Sequence, residues 1–137
     1  MNGHVRRCFA LALLLLTVGC GQASAAGLGG TVQYAKSGGI AGISESMRIS
    51  SDGRGKIETR AFRLTATEAS KLATALRRAD LAHTKSPKGA GCCDLFSYSI
   101  RYRGHVFEWD DTARNLPRRI ADLHAMLSRL YEKYAPN

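Results

Sequence analysis

The residues able to do chemistry in this 137-residue chain are few and badly spaced for it. Beyond His4 near the N-terminus, the histidines are His83, His105 and His124. None has a ligand-type partner four residues on, and no H-E-x-x-H pair exists, so zinc ligation has no support. The serines include no G-x-S-x-G elbow, so an acyl-transfer nucleophile has no recognisable setting. Asp110 and Asp111 are adjacent, and in a strand adjacent side chains point apart, a poor geometry for shared acid–base work. Glu108 and Asp110 could share a face, yet turn and helix-start roles account for them. Cys92-Cys93 is a vicinal pair without the C-x-x-C redox spacing. It could exist as free thiols, as a strained vicinal disulfide or in intermolecular pairing. No glycine loop precedes a helix in the manner of a phosphate cradle. The reading is of a protein that is not an enzyme and carries no metal or cofactor.

What remains chemically unusual is Ser37-Gly38-Gly39-Ile40-Ala41-Gly42. Glycine lacks a Cβ and tolerates φ > 0, so such a stretch can turn sharply between strands. Ile40 is a large apolar side chain at its centre. Either it folds back on the sheet edge or it is presented to a partner.

The elements that would position this loop follow from periodicity. Thr31–Ala35 alternates as a strand. Ile43–Ser51 alternates with Ile43, Glu45, Met47 and Ile49 on one face and Ser44, Ser46, Arg48 and Ser50 on the other. Glu45 falls on the apolar side, so it must lie near the strand end or find a partner. Asp52-Gly53 signals a hairpin, with Arg54-Gly55 lengthening the turn. A third strand runs from Lys56 to Phe62. Thr65-Ala66-Thr67-Glu68 is a capping box opening a helix with Ala69, Leu72, Ala73, Leu76 and Ala79 on one stripe. A long loop, Asp80 to Cys93, leads to Leu95–Arg103, with Phe96, Tyr98, Ile100 and Tyr102 on one face. Arg103-Gly104 turns into His105–Asp110, where Phe107 and Trp109 point inward. A closing helix follows Pro117, striped by Leu116, Ile120, Leu123, Leu127, Leu130 and Tyr134. The order β-β-β-α-β-β-α predicts a small α+β domain: about five mostly antiparallel strands, with both helices packed on one face. Serine and arginine side chains would line the other.

The first 25 residues read as an export signal. Arg6-Arg7 precedes an apolar run, Phe9 to Val18, that is too short to span a bilayer. Thr17-Val18-Gly19-Cys20 resembles a lipobox, which would make Cys20 a lipidation site and anchor the protein to a membrane. Ala23-Ser24-Ala25 is an ordinary cleavage site, which would release it as a secreted or periplasmic protein. Residues 26–30 are expected to form a flexible, glycine-rich leader. Residues 31–137 are then one domain.

Net charge is +9, from 20 basic and 11 acidic side chains, two of the former lying in the signal. The basic residues are scattered over strands and helices without interleaved aromatics, which argues against nucleic acid. Anionic lipid, a cell-wall polymer or an acidic partner protein suits this charge better. A monomer is expected.

Tyr34-Ala35-Lys36-Ser37-Gly38-Gly39-Ile40-Ala41-Gly42, the capped helix, Asp94-Leu95-Phe96-Ser97-Tyr98-Ser99-Ile100 and the amphipathic closing helix together resemble the emfourin family. That family is named for a protein inhibitor of protealysin, a thermolysin-type zinc metalloprotease. The resemblance runs from about Thr31 to Tyr134, and the paired cysteines before Asp94 depart from it. It implies a proteinaceous metalloprotease inhibitor without a cofactor, with Ser37, Gly38, Gly39, Ile40, Ala41 and Gly42 contacting a secreted or envelope-bound protease. The alternative is a non-catalytic envelope lipoprotein or binding module, whose basic surface meets an anionic polymer or a partner protein.

Overall fold

The computed structural model describes residues 27–89 and 94–136. Its strands are β1 (Val32–Gly38), β2 (Ile43–Ile49), β3 (Arg54–Ile57), β4 (Arg60–Arg63), β5 (Phe96–Tyr102) and β6 (His105–Asp110). Its helices are α1 (Ala66–Ala79) and α2 (Arg118–Tyr134). The strands form one antiparallel sheet in the order β4-β3-β2-β1-β5-β6. This is the expected α+β class, with six strands instead of five.

The extra strand comes from the segment expected to be a single strand over Lys56–Phe62. It is instead a hairpin, β3 and β4, turning at Glu58-Thr59 with Ile57 opposite Arg60. Glu58 takes φ 51°, the left-handed region. Asparagine, aspartate or glycine usually marks such a turn, and none is present here. Gly55 is also not a turn residue. It is buried in β3 opposite Phe62, and a Cβ there would run into the Phe62 ring. The missing side chain lets Phe62 lie over β3 and stack on Tyr134 of α2, with ring centroids 4.3 Å apart.

Period-two alternation puts Val32, Tyr34, Met47, Ile49, Ile57, Ile100, Phe107 and Trp109 on one buried face. Leu72 and Leu76 of α1 and Ile120, Leu123 and Leu127 of α2 cover it. Each such side chain contributes about 1.5–3 kcal/mol on full burial. No buried side-chain nitrogen or oxygen among the described residues lacks a partner.

The helices run antiparallel and are tied at one end by Glu68. The capping box forms as expected: the Thr65 hydroxyl accepts from the Glu68 amide, and the Glu68 carboxylate accepts from the Thr65 amide. The same carboxylate accepts from Lys133 at 2.5 Å and from the Tyr134 hydroxyl at 2.8 Å, both near the end of α2. Partial burial opposes its ionisation, but the hydrogen bonds from Lys133, the Thr65 amide and Tyr134 override that and hold its pKa at about 2.

A carboxyl depressed in the folded state contributes stability above its ordinary value of 4.5, and that contribution is lost as pH falls towards about 2. Glu68→Gln is therefore expected to destabilise the protein at neutral pH and to flatten the loss of stability between those two values. Urea unfolding as a function of pH measures this; an unchanged acid limb would contradict it. Gly55→Ala should cost about 1–3 kcal/mol through overpacking against Phe62, read as a lower urea midpoint at constant slope.

Candidate functional site

β1 occupies the middle of the sheet and is paired along its full length on both sides. Gly38 stands opposite Ile43 of β2 and Phe96 of β5, and Ser37 opposite Ser44 and Ser97. Ser37 and Gly38 thus belong to the strand and not to the loop. The turn proper is Gly39-Ile40-Ala41-Gly42, closed by the Gly42 amide donating to the Gly39 carbonyl at 3.0 Å. Gly38, Gly39 and Gly42 have φ of 110°, 72° and 60°. Two of them are also places of close approach. A Cβ on Gly38 would collide with the Leu95 carbonyl oxygen, and one on Gly39 would lie 2.9 Å from the Phe96 ring. The Gly39 amide donates to that same Leu95 carbonyl at 3.3 Å.

Ile40 at the tip is 90% exposed. Val106, at 38%, is the other exposed large hydrophobic among the described residues. Ala41 is exposed beside Ile40. Of the two positions open to Ile40 in the sequence, the structure has the one that faces solvent.

Beneath the tip, Lys36 and Glu45 face the helices from opposite each other on β1 and β2. Their side chains pair at 3.7 Å, which supplies the partner that Glu45 required. The Lys36 ammonium also lies 4.6 Å from the centre of the Phe96 ring. One turn deeper, the Tyr34 hydroxyl meets His124 Nδ1 at 3.2 Å and Ser128 Oγ at 3.0 Å. Tyr98 and Trp109 stack at 5.2 Å, and the His124 ring sits edge-on to both. Tyr34, Lys36, Glu45, Tyr98, His124 and Ser128 border a cavity of about 360 Å³. His124 and Ser128 are four apart on α2, and Tyr34 and Lys36 are two apart on β1. Polar side chains on an otherwise apolar face were the available signal for this cluster.

The cluster holds strands to helix and is poorly suited to moving protons. Burial first, then the charge of Lys36, lowers the His124 pKa, so the ring is neutral near pH 7. Burial raises the Tyr34 pKa against the hydrogen bond to Ser128. Burial and then the Asp111 carboxylate push Tyr98 up to about 12. Ser128 meets Tyr34 and not His124, so these two side chains are not joined as a serine–histidine pair.

The remaining polar candidates take structural places. His83 pairs with Asp80 at 2.9 Å just past α1, and His105 is exposed at the start of β6. Asp111 accepts from the Phe96 amide at 3.1 Å, and Asp110 from the Thr112 amide at 2.9 Å. The Glu108 amide donates to Ser86 Oγ at 2.8 Å, tying the long loop to the β6 edge. Among the described residues, no group of three or more His, Cys, Asp or Glu is placed to hold a metal ion. Among them, no helix is long and apolar enough to cross a membrane. Cys20, the lipidation candidate, and the Cys92-Cys93 pair lie outside the described residues. The sequence matches no protein-family model and no curated protein.

The depressed His124 pKa has a measurable consequence. The unfolded chain takes up a proton as pH falls below the ordinary value of 6.5, whereas the folded one resists until its lower pKa is reached. This contribution is complete above pH 6.5, declines below it, and levels off beneath the folded pKa. His124→Gln should flatten that decline, as followed by thermal melts from pH 7.5 to 5; the same slope in both proteins would refute the assignment.

Proposed function

We propose that the chain is an exported protein inhibitor of a thermolysin-type metalloprotease, acting through the tip of the β1–β2 hairpin. The observation that carries the reading is Ile40: an apolar side chain 90% exposed at the apex of a turn braced by its neighbours. The resemblance of Tyr34–Gly42 and Asp94–Ile100 to the emfourin family supplies the class of target. Proteases of the thermolysin type have a hydrophobic pocket beside the zinc, and Ile40 has the size and chemistry to fill it.

The mechanism is occupancy. Gly39, Ile40, Ala41 and Gly42 offer no thiol or imidazole to capture a metal ion, so the tip would exclude substrate without ligating zinc. Ser37 and Gly38 act from the strand below, where Ser37 is exposed and Gly38 admits Leu95. Full burial of Ile40 would contribute about 1.5–3 kcal/mol, roughly ten- to a hundredfold in affinity.

The expected result is stoichiometric inhibition of a thermolysin-type protease by the parent protein, and its loss in Ile40→Asp. Ile40→Ala should weaken inhibition by the factor given above. Both variants should melt with the parent, because Ile40 takes no part in the core. An inhibition constant unchanged by Ile40→Asp removes the tip from the mechanism, and a parent protein that fails to inhibit removes the function.

A further inference from the structure

The face of the sheet turned away from the helices carries a feature the hairpin tip does not use. Lys56, Arg48, Gln33 and Arg101 are direct cross-strand neighbours on β3, β2, β1 and β5, forming one row. Adjacent strands lie about 4.8 Å apart, so the row is about 14 Å long. All three cations are exposed. None makes an ion pair among the described residues, although Lys36, Arg54 and Lys133 each have a carboxylate. Lys56 stands directly opposite Arg48. Like charges in that position weaken a sheet, and no direct ion pair offsets the row's charge.

The next row towards the tip is Ser46, Ala35 and Ser99, all small, with Glu108 beyond Ser99 on β6. Together the two rows border a shallow depression of about 360 Å³, with Glu58 at its edge. Glu58 pairs with none of the three cations.

We propose that this row binds a linear phosphate-bearing polymer laid across the strands. Guanidinium and ammonium groups match phosphate oxygens, and Gln33, Ser46 and Ser99 add neutral donors between and beside them. Other anionic partners fit less well. The strand positions of this face carry no aromatic ring, so there is no platform on which bases could stack. Glu108 and Asp110 stand further along the same face, opposite Ser99 and Ser97. A broad anionic surface would be pressed against both carboxylates, whereas a chain laid along Lys56, Arg48, Gln33 and Arg101 borders carboxylates only at its margins, at Glu58 and at Glu108 beside Ser99. An acidic peptide would find only one apolar neighbour at each end of the row, Ala61 opposite Lys56 and Val106 opposite Arg101. The inference is independent of the inhibitor reading, since neither the tip nor Ile40 takes part.

The test uses the full chain and long-chain inorganic polyphosphate, with binding followed by calorimetry at stepped salt concentrations. Binding should be salt-sensitive and should weaken about tenfold or more when Lys56, Arg48 and Arg101 are all replaced by glutamine. That variant should melt no lower than the parent, because a like-charge pair has been removed. A control replacing Lys71, Arg78 and Arg118 on the helices by glutamine should bind as the parent does. Equal loss in both triple variants would reduce the effect to net charge and overturn the site. Absence of binding would overturn it too. Equally tight binding to poly-glutamate, or to vesicles of anionic phospholipid, would overturn the assignment of a phosphate polymer.

Discussion

The structure depends on β1 being hydrogen-bonded along both edges. Seven residues of β1 face β2 on one side and β5 on the other, from Val32 to Gly38. A strand paired on both sides cannot slip, because a shift of one residue would send Val32 and Tyr34 to solvent. The hairpin tip inherits that register. So does the basic row on the open face, since Gln33 fixes Arg48 and Arg101 on either side of it. Tyr34, reaching His124 and Ser128, carries the same strand's position into α2. β1 is therefore the element through which the tip, the open face and the helix layer share one frame.

The parts of the fold written as strong periodic patterns were legible in the sequence. β5 and β6 announce themselves through Phe96, Tyr98, Ile100, Phe107 and Trp109. α1 does so through its stripe and its capping box, and α2 through its leucines. The β3–β4 hairpin was not legible, because Glu58 enters the left-handed region without a residue type that marks it. Gly55 misled for a related reason. Glycine signals a turn when read along the chain, but here its purpose is to admit an aromatic ring from the next strand. That information is in the pairing of residues 55 and 62, which local composition does not encode.

The tip was legible as a glycine stretch, and its boundaries were not. Ser37 and Gly38 look like loop residues in the sequence and are strand residues in the structure, because β5 arrives to pair with them. The cluster of Tyr34, His124 and Ser128 was hidden for the opposite reason. Tyr34 is 90 and 94 residues from His124 and Ser128, and each taken singly is an ordinary polar residue on a mixed face.

A glycine-rich turn is usually taken to be a loose one. Here the absent side chains serve close contact. Gly38 lets the Leu95 carbonyl approach, and Gly39 lies against Phe96 while donating its amide to that carbonyl. Phe96 is in turn covered by Lys36, which Glu45 holds. The turn is thus shaped from below by β5 and closed on itself by Gly39 and Gly42. The cost of ordering a loop counts against any side chain it delivers to a partner. A turn already held in one shape loses less on association, so more of the burial free energy of its apical side chain is expressed as affinity. That reasoning applies to any partner of Ile40, and it explains why three glycines and a firm tip are compatible in one short stretch.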